Sequence, residues 1–90
     1  MIENQTFRLA AGADDAAFRA DDSRAQQEIA YRQPGIVRRT TAVSDDGEWL
    51  VSTLWESRAH ADAAASVLDA LAAHIDESTI RTSRYDEVGG

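Results

Sequence analysis

The feature that most constrains the fold is the order of the predicted elements along the chain. Residues Gln5 to Ala11 alternate between polar and apolar positions, which predicts a half-buried strand. A helix from about Asp15 to Arg32 follows, and Pro34 ends it because proline cannot continue the hydrogen-bond ladder. Two further strands, Ile36 to Val43 and Trp49 to Trp55, are rich in β-branched and aromatic residues.

Three more segments complete the order. Ser44-Asp45-Asp46-Gly47 predicts a hairpin turn, since glycine tolerates the positive φ that such turns need. A second helix is predicted from Ser57 to about His74, and a last strand from Thr79 to Tyr85. The order βαββαβ is typical of a ferredoxin-like α+β fold, with a four-stranded antiparallel sheet and two helices on one face. We expect residues 1–90 to form a single domain.

Composition excludes several classes of function. The net charge is −7, so binding to nucleic acid or to an anionic membrane is not expected. The chain has no cysteine, which excludes disulfides and thiolate metal sites, and all nine basic residues are arginine, which excludes a Schiff-base lysine. No apolar run is long enough to span a membrane, and the N-terminus lacks the pattern of a secretion signal. We therefore expect a cytoplasmic protein.

The hairpin strands are apolar on both faces, which predicts that both faces are covered. If Ser44 lies opposite Glu48, then Arg39 lies opposite Thr53, and Val37 opposite Trp55. Those residues share one face with Trp49 and Val51, whereas Leu50 and Leu54 lie on the other. The helices can cover only one face, so we expect a homodimer in which the second face packs against a partner sheet. Which face lines a pocket is open at this point.

The predicted helices carry ionisable residues on their apolar stripes. Asp22 lies four residues after Phe18 on the first helix, on its buried side. On the second helix, His60 and His74 fall on the stripe that also contains Leu71. A carboxylate or imidazole facing a sheet needs a partner or a function, so these three residues are candidates for a site.

The chain resembles the dimeric α+β barrel proteins, and most closely the antibiotic biosynthesis monooxygenase group. The resemblance is carried by Thr6-Phe7-Arg8-Leu9, by Gln33-Pro34-Gly35, and above all by the run from Trp49 through Trp55-Glu56-Ser57 into an alanine-rich helix. It implies two sheets packed across a dimer axis and a pocket between each sheet and its helices. The group includes cofactor-independent oxygenases of aromatic compounds, haem-degrading enzymes, and proteins with no known reaction.

The haem-degrading branch implies three residues, of which this chain has one. His74 falls at the position of its haem-ligating histidine, but Ala64 and Gln5 stand where that branch has Trp and Asn. His60 and His74 are 14 residues apart, roughly 21 Å along a helix, so they cannot share a metal ion within a subunit. We therefore expect no metal and no cofactor, neither haem nor flavin.

Two residues are candidate catalytic groups. His74 or Asp22 could accept a proton from a phenolic substrate inside the pocket. The alternative for His74 is a helix-end histidine that bonds to carbonyls or water. The alternatives for Asp22 are a solvated carboxylate on a rotated helix, or an ion pair with an arginine of the sheet.

The remaining candidate residues are predicted to bind the ligand rather than to take part in the reaction. Trp49 and Trp55 could stack on a flat ligand, or could fill a core or interface. Arg39 is a candidate anion contact, and His60 a residue at the pocket rim. Together with the resemblance, these residues favour a small cofactor-independent monooxygenase acting on an aromatic or quinone-like compound. The alternative is a non-catalytic dimeric ligand-binding or interaction protein. An open cavity of several hundred Å³ with convergent polar groups would favour the enzyme, and a packed one would favour the alternative.

Overall fold

The computed structural model describes residues 1–90 and confirms the predicted α+β architecture. Four strands form one sheet, and all the helical segments lie on one of its faces. The elements are β1 (Ile2–Leu9), α1 (Asp15–Glu28), a 3₁₀ turn (Ala30–Arg32), β2 (Ile36–Val43), β3 (Trp49–Trp55), α2 (Arg58–Ala63), α3 (Val67–Ala70), a second 3₁₀ turn (Ala72–His74) and β4 (Ile75–Tyr85).

The sheet has the antiparallel order β2-β3-β1-β4, which confirms the ferredoxin-like topology. Strand β1 is therefore an inner strand with neighbours on both edges. It begins at Ile2 and ends at Leu9, not at Gln5 and Ala11 as the alternation predicted. Pairing with both neighbours extends the strand backward to Ile2, which lies opposite Leu54 on one side and Tyr85 on the other.

The hairpin confirms one part of the predicted register and corrects another. Arg39 lies opposite Thr53, as the turn chemistry predicted. Val37 does not lie opposite Trp55, because a bulge between residues 36 and 38 brings Ile36 to that position. In the turn, Gly47 has φ +88°, which the absence of a Cβ permits.

The first helix begins with a side-chain cap and buries the predicted face. The Asp14 carboxylate accepts hydrogen bonds from the backbone N–H groups of Ala16 and Ala17, at 2.9 and 3.3 Å. Phe18, Asp22 and Ala25 are buried. The helix ends at Glu28, four residues before the predicted end. Ile29 follows with φ −119°, outside the usual helical range, and Ala30–Arg32 then form a single 3₁₀ turn.

The second predicted helix is broken. Ser57 caps its start by accepting from the N–H of His60, but α2 stops after Ala63. Ala64 has ψ 146°, an extended conformation, and the freed N–H of Ala65 donates to the Gln33 side chain at 3.1 Å. The continuous helix from Ser57 to His74 was thus a wrong prediction. Strand β4 also begins earlier, at Ile75, which pairs with Leu9.

The core lies between α1, α3 and the sheet. Its eight buried residues are Phe7, Phe18, Ala25, Trp49, Val51, Leu68, Leu71 and Ile75. Burying these side chains is the main favourable term in folding. The opposite face of the sheet carries no helix, and half-exposed Ile2, Leu50 and Leu54 lie on it. None of the helices has the length and apolarity that a bilayer crossing requires.

Candidate functional site

A cavity of about 170 Å³ lies between the sheet and the break in the second helical segment. Strand residues form its floor, and the chain around the break forms its roof. The floor side chains are Glu3, Gln5, Ile36, Arg39, Val51, Thr53 and Trp55; Ala61, Ala64, Ala65, Ser66, Val67 and Leu68 form the roof, with Ala30 and Gln33 at the side. The short roof side chains leave space that a leucine-rich helix would fill.

The floor of the cavity contains a row of polar residues across three strands. Thr53 on β3 lies opposite Arg39 on β2 and opposite Glu3 on β1. All three side chains line the cavity, so they share the helix-covered face. A fourth residue, Arg84 on β4, continues the row beyond Glu3.

Arg39 is held rigidly at one end of this row. Its side chain is 1% exposed, and its guanidinium donates to the Asp22 carboxylate at 2.7 Å. It also donates to the Gln26 side-chain oxygen at 3.0 Å and to the Thr41 hydroxyl at 3.2 Å. The ion pair makes Asp22 a partner of a sheet arginine, which was one of the alternatives weighed for it. Charge-assisted bonds of this kind fix a planar guanidinium in orientation.

Glu3 lies at the other end of the row, and the sequence prediction missed it. Its Oε2 accepts from Arg84 Nε at 2.9 Å, and Arg84 also donates to Asp62 of α2. Both carboxylates raise the pKa of Arg84 above its ordinary value, and the hydrogen bond to Asp62 has the larger effect. The signal was available, because extending the alternation backward from Phe7 through Gln5 places Glu3 on the buried face.

The two tryptophans lie at opposite ends of the covered face. Trp55 lines the cavity, and its buried Nε1–H has no hydrogen-bond partner in the protein. Trp49 lies outside the cavity, with its ring centroid 4.8 Å from that of Phe18 and the guanidinium of Arg19 5.0 Å from its ring. Only Trp55 is therefore placed to contact a molecule in the cavity.

Neither histidine lines the cavity. His74 Nε2 lies 2.7 Å from Asp21 Oδ2, and the ring packs edge-on against Phe18. His60 Nδ1 lies 2.7 Å from the Ser57 hydroxyl, and its ring covers Gly35. Gly35 has φ +81° and a Cβ there would lie 2.2 Å from the His60 ring, so only glycine fits.

The structure thus brings together two of the six predicted site residues, Arg39 and Trp55, with Asp22 behind the first as its ion-pair partner. Trp49, His60 and His74 lie elsewhere, and the roles predicted for all six stay predictions. No group of three or more His, Asp or Glu side chains is arranged to hold a metal ion.

Comparison with known proteins gives the fold but not a family. No protein-family model matches the chain, and no curated protein matches it. Among solved structures, it is similar to SnoaB, a cofactor-independent oxygenase from Streptomyces nogalater, with a TM-score of 0.78 and 21% identity over 99% of this chain and 93% of that one.

Two further solved structures have similar folds. One is a candidate antibiotic biosynthesis monooxygenase from Nitrosomonas europaea, with a TM-score of 0.77 and 18% identity over 97% of this chain and 88% of that one. The other is Rv0793 from Mycobacterium tuberculosis, with a TM-score of 0.70 and 17% identity over 98% and 97%. The resemblance predicted from the sequence is confirmed at the level of the fold: this chain has the fold of the antibiotic biosynthesis monooxygenase-like proteins.

Proposed function

We propose that the protein is a small cofactor-independent monooxygenase that acts on an aromatic or quinone-like compound bound in the cavity. The observation that carries the proposal is the cavity itself. It joins an aromatic wall, Trp55, to a fixed cation, Arg39, and to a carboxylate, Glu3. The similar fold of SnoaB, a cofactor-independent oxygenase, supports this choice.

In this reaction the protein needs only to bind the substrate and to stabilise the negative charge that develops on it. Loss of a proton from an aromatic hydroxyl makes the ring electron-rich enough to pass an electron to O₂. One oxygen atom then enters the substrate, and the other leaves as water with two hydrogens from the substrate, so no external reductant is consumed. Arg39 stabilises the developing negative charge on the substrate oxygen, because its cation lies in a site from which water is largely excluded.

The cavity volume suits a single aromatic ring. About 170 Å³ is close to the roughly 150 Å³ that holds one benzene, and below the roughly 300 Å³ at which drug-sized pockets begin. The same small volume favours the second candidate function, a non-catalytic protein that binds a small ligand. Turnover, not binding, separates the two.

We also propose a homodimer in the cytoplasm, built through the sheet face that has no helices. Ile2, Leu50 and Leu54 offer apolar area on this face, and the neighbouring Asn4 has a buried side-chain oxygen without a donor. A partner sheet would cover the three apolar side chains and would bring a hydrogen-bond donor within reach of the Asn4 side-chain oxygen. Sedimentation at micromolar concentration tests this, and a stable monomer would contradict it.

The proposed monooxygenase activity is tested by measuring oxygen consumption in the presence of a panel of single-ring dihydroxyaromatics. Two matched variants, Trp55→Phe and Trp49→Phe, make the same change at the two ends of β3. We expect Trp55→Phe to lower kcat/KM about tenfold through the lost N–H donor, and Trp49→Phe to leave it unchanged. Binding without oxygen consumption would favour the non-catalytic protein, and equal effects of the two variants would place the reaction outside the cavity.

A further inference from the structure

We propose that Glu3 and Arg39 act as the two ends of one recognition row, which selects a ring bearing a hydroxyl at one side and an acceptor oxygen, carbonyl or ionised, at the other. This inference deepens the proposed function and rests on it for the identity of the site. It assigns a specificity role to Glu3 and names the class of ligand.

The strand register places the recognition row across three neighbouring strands. Glu3 pairs with Thr53, and Thr53 pairs with Arg39, so the three residues lie side by side across β1, β3 and β2. Adjacent strands are about 4.8 Å apart, which places the outer two Cα atoms about 10 Å from each other. Both side chains line the same cavity, and its volume of about 170 Å³ is enough for one ring between the two strands.

The two ends of the recognition row have opposite hydrogen-bonding character. A guanidinium can only donate, and an ionised carboxylate can only accept. Glu3 uses Oε2 for Arg84, and its Oε1 has no donor within the protein. Thr53, in the middle, makes no side-chain hydrogen bond of its own. The row therefore offers a donor, a hydroxyl and an acceptor in sequence.

Few ionisable side chains line the cavity. Glu3 and Arg39 are the only ionisable side chains among the residues that line it. An arginine does not accept protons, so Glu3 is the one charged acceptor available to a substrate hydroxyl there. Asp22 cannot take this part, since it lies behind Arg39 and is engaged by it.

The test is a binding cycle with two ligands and two proteins. The ligands are 4-hydroxybenzaldehyde, which has both the hydroxyl and the acceptor oxygen, and benzaldehyde, which lacks the hydroxyl. The proteins are wild type and Glu3→Gln, in which Arg84 retains Asp62 as a partner. Glu77→Gln is the matched control, because Glu77 lies exposed on β4 and makes no side-chain hydrogen bond.

We expect Glu3→Gln to weaken binding of 4-hydroxybenzaldehyde about tenfold or more and to leave benzaldehyde binding unchanged. Phenol, which lacks the acceptor oxygen, should bind wild type about tenfold more weakly than 4-hydroxybenzaldehyde. Equal effects of Glu3→Gln on the two aldehydes would overturn the inference, as would no effect or a failure of either ligand to bind wild type.

The two proposals fail in different ways. If the binding cycle gives the expected result but no dihydroxyaromatic consumes oxygen, the recognition row stands and the monooxygenase does not. If wild type consumes oxygen but Glu3→Gln does not distinguish the two aldehydes, the monooxygenase stands and the recognition row does not.

Discussion

Two tryptophans six residues apart on β3 have the same orientation and different surroundings. Trp49 packs against Phe18 of α1 and belongs to the buried core. Trp55 faces a roof of alanines and lines a cavity. We call the surroundings of Trp49 the packed end of the covered face, and those of Trp55 the cavity end.

The comparison teaches that strand periodicity assigns a face but not an environment. The alternation along β3 places both rings toward the helices, because side chains of a strand repeat every two residues. What each ring contacts is decided by the element across from it. At the packed end, α1 contributes the phenyl ring of Phe18. At the cavity end, the chain around the break after α2 contributes alanine methyl groups.

The largest expected effect is at the packed end. Phe18 is fully buried and contacts Phe7, Trp49 and His74. We expect Phe18→Ala to lower the free energy of unfolding by about 3–5 kcal/mol, and Leu71→Ala by about 2–5 kcal/mol, because each leaves a void in a close-packed core. Urea denaturation measures both. A loss below about half a kcal/mol would mean that this end is as loosely filled as the other.

At the cavity end we expect charge to matter as much as volume. Asp22→Asn leaves the Arg39 cation buried without its counter-ion, and should lower the free energy of unfolding by about 3 kcal/mol. The double variant Asp22→Leu with Arg39→Met should recover most of that loss, since it removes both charges. A single variant as stable as wild type would show that the pair is not buried in solution.

A matched pair of alanines tests the free volume directly. Ala25 belongs to the packed core, whereas Ala64 lines the cavity. We expect Ala25→Leu to cost about 1–3 kcal/mol through overpacking. Ala64→Leu should not lower stability and should abolish binding of single-ring ligands, as judged by ligand-detected NMR. Equal costs for the two variants would remove the distinction between the two ends.

His74 belongs to the packed end and shares a partly exposed pair with Asp21. We expect His74→Ala to cost up to about 1 kcal/mol, as does the matched variant Asp21→Asn. Turnover should be unchanged, because the ring does not line the cavity. A turnover loss of about 10²-fold would instead give His74 the proton-acceptor role that the sequence predicted.

The smallest expected effect lies in the hairpin turn, away from both ends. The pKa of Asp46 is lowered from its ordinary value by the Ser44 hydroxyl, then by the Glu48 N–H and by Arg8. A lowered folded pKa stabilises the fold above the unfolded pKa, and this contribution is lost as the pH falls through the folded pKa. Asp46→Asn should therefore reduce stability slightly at neutral pH and not at strongly acidic pH. Asp45→Asn is the control.

The sequence predicted the strand pairing better than the helical roof. The hairpin turn determines that Arg39 lies opposite Thr53, because turn length sets register. The alanine-rich run favours a continuous helix, and the start of α3 is marked locally only by Ser66 at its N-cap, followed three residues later by Asp69. At the break, the Ala65 N–H donates to the side chain of Gln33, a residue distant in sequence that no local pattern reveals. The bulge beside Val37 likewise depends on pairing that no single strand reveals.

The residues of the candidate site were likewise predicted well from the strands and poorly from the second helix. Arg39 and Trp55 were found because both lie on a strand whose alternation is clear. His74 was placed near the pocket only through a continuous helix that does not exist. Glu3 was missed because the predicted first strand began too late. Periodicity was reliable where the predicted element exists, as in β3, and it misled where the element is broken or begins earlier than predicted.

The inner position of β1 has a consequence for how the chain folds. The pairing of β1 is completed only when β4 docks against it, since Ile2 lies opposite Tyr85. Contacts between residues so far apart in sequence close slowly, whereas the β2–β3 hairpin is local. Until β4 docks, one edge of β1 offers unpaired N–H and C=O groups to other chains. Between the formation of β3 and that of β4, this open edge of β1 is therefore a site at which the chain can pair with another copy.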